Sequence, residues 1–67
     1  MHENAVKAGS VWLYLGPGEG KGLRHLVTSV DDGIVSTFSE PSRNAEEGGQ
    51  SWLGSMNDFR RYFRPVA

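Results

Sequence analysis

Apolar residues in this chain gather in short runs bounded by glycine, proline or charge, and their spacing predicts strands first and a helix last. The opening run, Ser10 to Gly16 (SVWLYLG), is rich in β-branched and aromatic residues and short for a helix, so it reads as a strand. Alternation puts Val11, Leu13 and Leu15 on one face and Trp12 and Tyr14 on the other. Both faces are apolar. Either the returning chain covers the second face, as in a barrel, or the aromatic side is an exposed contact surface.

A second run, Leu23 to Val30, leads through Asp31-Asp32-Gly33 into a third, Ile34 to Ser39. Asp-Gly between two β-rich runs predicts a tight hairpin, because such a turn needs positive φ at its centre. His25 shares a face with Leu23 and Val27, which predicts a partly buried, hydrogen-bonded imidazole rather than a catalytic one. Residues 40–49, EPSRNAEEGG, contain nothing apolar larger than alanine and predict a long exposed loop. Gln50 to Ser55 reads as a fourth strand, with Trp52 assigned to the core. Ser55 stands where an N-cap belongs, with Asp58 three residues on. Met56, Phe59 and Phe63 then share one side of one or two helical turns that Pro65 ends. Residues 1–9 are polar and without a period, a flexible lead-in to a single domain at 10–67.

The stretch GPGEGKG at 16–22 raises the question of a phosphate-binding loop. Such a loop needs glycine, four residues, then Gly-Lys-Ser/Thr, so that backbone amides wrap phosphate and the hydroxyl holds magnesium. Leu15 stands at the first glycine position, and Gly22 follows Lys21 in place of a hydroxyl. A dinucleotide fingerprint also needs a helix here, whereas LRHLVTSV is strand-like. The glycines therefore read as a hairpin connector, with Pro17 stiffening its start.

Size and charge narrow the function classes. A chain of 67 residues has room for one small core and buries only about 60% of its unfolded surface. Without cysteine there is neither a disulfide nor a thiolate ligand, and His2 and His25 lack metal-ligand spacing, so no metal or cofactor is expected. Seven basic residues against eight acidic ones argue against coating nucleic acid by bulk charge. No apolar run approaches a membrane span and no secretory leader is evident, so a cytoplasmic protein is the expectation. The acids fall in turns and loops and no serine has an elbow context, so catalysis is not expected.

The densest charge is Arg60, Arg61 and Arg64, interleaved with Tyr62. Guanidinium groups grip carboxylate or phosphate in a bidentate fork, yet cations also sit favourably at a helix C-terminus, so both readings stand. Joined to the first-strand aromatics, the set Trp12, Tyr14, Arg60, Arg61, Tyr62 and Arg64 forms a candidate partner-binding surface. The alternative is a nucleic-acid surface built from Lys21, Arg24, Arg60, Arg61 and Arg64. Self-association through an edge strand or the aromatic face is a third reading.

Four short strands, a tight hairpin, a long loop and one helical turn before a last strand at Arg64, Pro65 and Val66 resemble a small SH3-like barrel. GSVWLYLG near the start and SWLGSMNDFRRYFRPV at the end resemble uncharacterised small proteins of bacteria and their phages. The resemblance spans about residues 9–66. It implies a mainly β fold of about five short strands with one helical turn near the C-terminus. It also implies a non-catalytic binding module, a protein-interaction or regulatory protein acting on a host or partner protein.

Overall fold

A computed structural model describes residues 5–18, 20–40 and 49–66. Five antiparallel strands form one sheet: β1 Val11–Tyr14, β2 Arg24–Asp31, β3 Ile34–Ser39, β4 Ser51–Ser55 and β5 Phe63–Pro65. One helix, α1 Met56–Tyr62, lies between β4 and β5. The strand order is β4-β3-β2-β1-β5. The mainly β expectation is therefore met, with β4 and β5 as the two edges and no ladder between them among the described residues. The helix carries the chain from one edge to the other. It advances about 12 Å from Ser55 to Phe63, whereas four strand spacings on a flat sheet come to about 19 Å. The sheet must curl around the helix to meet both ends.

The local signals act as read. Asp32 and Gly33 both have positive φ, 56° and 79°, and Asp31 pairs with Ile34, so the β2–β3 turn is a two-residue hairpin of the primed kind. A register shift between Val27 and Ser29 lets the long β2 bend. Ser55 caps α1 by accepting the Asp58 N–H at 3.1 Å, and Asp58 lies in the first turn. The Met56 N–H donates to the Gly33 carbonyl at 2.9 Å, fastening the helix start to the hairpin.

The glycine-rich stretch connects β1 to β2, and a strand, not a helix, follows it. Its glycines make room for a ring. A Cβ on Gly16 would lie 2.6 Å from the Tyr14 hydroxyl, and one on Gly20 would touch the same ring at 3.7 Å. The Tyr14 hydroxyl donates to the Pro17 carbonyl at 2.8 Å, so the loop folds over the tyrosine. Glu19 lies outside the described residues.

Two boundaries differ from expectation. Phe63 is extended at φ −118° and ψ 149°, so α1 stops at Tyr62 and β5 begins two residues before Pro65. Arg64 precedes proline and is steered away from helical geometry, while pairing of Phe63, Arg64 and Pro65 with Tyr14, Leu13 and Trp12 offers a ladder instead. The lead-in is also attached in its second half. Val6 packs on the core and the Gly9 N–H donates to the Val27 carbonyl at 2.8 Å. The expected loop at 40–49 falls mostly on residues 41–48, outside the described residues. Its ends meet where the Ser39 N–H donates to the Gln50 carbonyl at 2.7 Å.

The core is Trp12, Val27, Val35, Phe59 and Phe63, with Val6, Tyr14, Trp52, Met56 and Tyr62 packed against it. Phe59 and Phe63 stack at 4.3 Å and 9°, and Trp12 meets Phe59 edge-on at 5.1 Å. Among the described residues, no helix is long and apolar enough to cross a membrane.

Candidate functional site

Of the two faces of β1, the aromatic one is the core. Trp12 is only 3% exposed, and its indole N–H donates to the Ser10 hydroxyl at 3.0 Å, which satisfies its polar atom. Trp12 therefore cannot supply contact area to a partner, and the expected surface loses its central residue. Tyr14 is half-buried beneath the glycine-rich loop. The aliphatic face, Val11 and Leu15, is the one that meets solvent.

That outer face continues across the sheet. Val11 pairs with Leu26 and Leu26 pairs with Phe38, so the three form one cross-strand row. They are 40%, 45% and 51% exposed. On strand β3 the inward face mixes Val35 with Thr37 and Ser39, while Ile34 and Phe38 face out. The inward polar groups are accommodated by hydrogen bonds. His25 Nδ1 lies 2.8 Å from the Thr37 hydroxyl, and Ser39 accepts the Gln50 N–H at 2.8 Å. Among the described residues, none covers Phe38, which is 51% exposed.

A groove of about 310 Å³ runs beside this row, lined by Val11, Leu26, Phe38, Arg24 and Glu40 among others. Arg24 and Glu40 form its polar border. The Arg24 side chain reaches the Glu40 carboxylate at 3.1 Å and its backbone N–H donates to the other oxygen at 3.0 Å. These bonds, the backbone one first, hold the Glu40 carboxyl below its ordinary pKa. His25 touches the groove from the core side, and burial lowers its pKa, so the imidazole is neutral at pH 7.

The arginine cluster is divided between two elements, α1 and β5. Arg60 and Arg61 are exposed in the last turn of α1, whose buried residue Phe59 packs on Trp12, so they lie on the far side of the molecule from Leu26 and Phe38. Arg64 is on β5, opposite Leu13, and its guanidinium donates to the Arg60 and Phe63 carbonyls at 3.0 and 2.8 Å. It thus serves the end of the helix, as cations near a C-terminus do. Tyr62 is half-buried against the core. Of the nucleic-acid set, Arg24 is engaged with Glu40, Arg64 with carbonyls, and Lys21 sits in the β1–β2 connection.

Leu26 and Phe38 did not stand out in the sequence. Their signal was there: each is apolar at a position whose strand neighbours already face the core. Compared with known proteins, the chain matches no family model, no curated protein and no solved structure.

Proposed function

We propose that this chain is a small non-catalytic binding module that docks a protein partner on the outer face of its sheet, in the cytoplasm. The observation that carries the reading is the exposed cross-strand row of Val11, Leu26 and Phe38, with Phe38 facing out while Thr37 and Ser39 of the same strand are buried. A contiguous apolar row rimmed by a charge pair has the anatomy of an interface, with an apolar centre and a polar border. The fitting partner presents an apolar ridge, with polar groups placed to meet Arg24 and Glu40. A role on a host protein, with a bacterial or phage origin, rests on the sequence resemblance alone and is part of the same proposal.

The test is capture from a lysate by the whole chain, with and without nuclease, alongside the double variant Leu26→Ser, Phe38→Ser. Both positions are exposed, so the variant is expected to fold. Loss of a nuclease-resistant partner supports the docking face. Capture that survives the substitutions overturns the outer-face site, and capture that disappears with nuclease and falls steeply with salt replaces it with the nucleic-acid reading through the arginines.

A further inference from the structure

The two edges of the sheet are finished differently. On β5 the Leu15 N–H donates to the Tyr62 carbonyl and the Val66 N–H to the Val11 carbonyl, so alternation turns the backbone groups of Phe63 and Pro65 to the open side. Those groups offer little to another strand. The Phe63 N–H donates to the Phe59 carbonyl, the Phe63 carbonyl accepts from the Arg64 guanidinium at 2.8 Å, and Pro65 has no N–H.

Strand β4 is finished with neither charge nor proline along Ser51–Ser55. The Ser39 N–H donates to the Gln50 carbonyl and the Met56 N–H to the Gly33 carbonyl. Alternation between those two bonds turns Trp52 and Gly54 toward β3, and Ser51, Leu53 and Ser55 toward the open side. Among the described residues no strand pairs there, and Leu53 is 70% exposed. Native proteins blunt such an edge with lysine, proline or a bulge unless another strand is meant to join it.

We propose that β4 pairs antiparallel with β4 of a second copy of this chain, across a two-fold axis at Leu53. The occupant is read from the strand itself, which is complementary to its own reverse. Leu53 faces Leu53, Ser51 faces Ser55, and Trp52 faces Gly54, so the large ring stands opposite a residue without a side chain. Glycine at 54 also makes room for the indole within one chain, since a Cβ there would lie 2.6 Å from the Trp52 ring. Within the paired segment no like charges meet, which is the usual obstacle to a strand pairing with itself. The two Leu53 residues exchange both N–H to carbonyl bonds, with Cα atoms about 5.5 Å apart. The contact is short, so the dimer is of the weak class, with a dissociation constant on the order of 100 μM. It uses the edge of the sheet and does not rest on the docking reading of the outer face.

Sedimentation velocity on the whole chain, from about 10 μM to about 1 mM, should show a monomer–dimer equilibrium. Hydrogen exchange at the Leu53 amide should slow as concentration rises, while the Trp52 and Gly54 amides, bonded within the chain, stay constant. Leu53→Lys and Leu53→Glu each change an exposed side chain and should weaken self-association about fivefold, by like-charge contact across the axis. An equimolar mixture of the two should restore it. Should either variant lose its fold, isotope-filtered NOEs between Leu53 of labelled and unlabelled parent chains report the same register. The variant Leu26→Ser, Phe38→Ser should dimerise as the parent does, which keeps this test separate from that of the docking face. A chain that stays monomeric throughout, dimers that Leu26→Ser, Phe38→Ser abolishes, or a charge-swapped mixture of folded variants that fails to associate overturns the proposal.

Discussion

His25 Nδ1 and the Thr37 hydroxyl lie 2.8 Å apart across the β2–β3 ladder, both side chains buried. Burial disfavours the charged imidazole more than the nearby Glu40 carboxylate favours it, so the folded pKa is below the ordinary 6.5. The unfolded chain then takes up the proton first as pH falls. Stability from this group is complete above about pH 6.5 and declines from there down to the folded value. Denaturant midpoints at pH 8, 6.5 and 5 should show the decline, and His25→Gln should flatten it. A midpoint equal at all three values would remove the imidazole from the stability account.

Neighbouring positions on β1 should behave oppositely. Trp12→Ala removes a core ring and is expected to cost about 3–5 kcal/mol, comparable to the whole stability of so small a domain. Val11→Ser, one residue away on the outer face, is expected to fall within about 0.5 kcal/mol of the parent. Thermal unfolding of the two variants checks both. If Trp12→Ala melts like the parent, the aromatic face is not the core.

Gly33 occupies the second turn position of the β2–β3 hairpin at φ 79°. A side chain there meets the left-handed penalty, so Gly33→Ala should destabilise by about 1–2 kcal/mol even though nothing lies near its Cβ. Gly33→Asn should recover part of the loss, because asparagine tolerates that region. Equal losses for the two would point to the missing glycine flexibility rather than to backbone strain.

Ser55→Ala should lower stability by about 1 kcal/mol, since it orphans the Asp58 N–H at the start of a seven-residue helix. Ser55→Asp should restore it. Urea unfolding of the three proteins decides the point.

Arg24 and Glu40 are held together at the groove edge, largely in solvent, and removing the pair should change stability little. Its signature is in titration. In Arg24→Ala the Glu40 carboxyl should lose its side-chain partner and titrate closer to its ordinary 4.5, a shift that carbon-detected NMR can follow. In the parent, the stability linked to Glu40 is present above that pH and is lost as the pH falls through the lowered folded value.

Much of the fold was legible because its signals are local. Asp-Gly demanded a turn, Ser55 with Asp58 marked a helix start, and β-branched runs marked strands. The β-branched content of LRHLVTSV likewise marked a strand, not a helix, after the glycines. What those glycines were for was not legible. Gly16 is required by a contact with Tyr14, as Gly54 on β4 is by one with Trp52, and side-chain contacts of that kind leave no periodic trace.

The candidate site was legible only in part, since alternation along β1 separates Trp12 and Tyr14 from Val11 and Leu13 but is silent on which pair is covered. That was decided by the helix crossing between the sheet edges, which delivers Phe59 and Phe63 to the aromatic side, while Val11 and Leu15 on the aliphatic side stay exposed among the described residues. Residue order along the chain sets the local elements because turns, caps and strand propensities act over a few bonds. Which face becomes interior depends on where a distant segment packs, and only the assembled structure contains that.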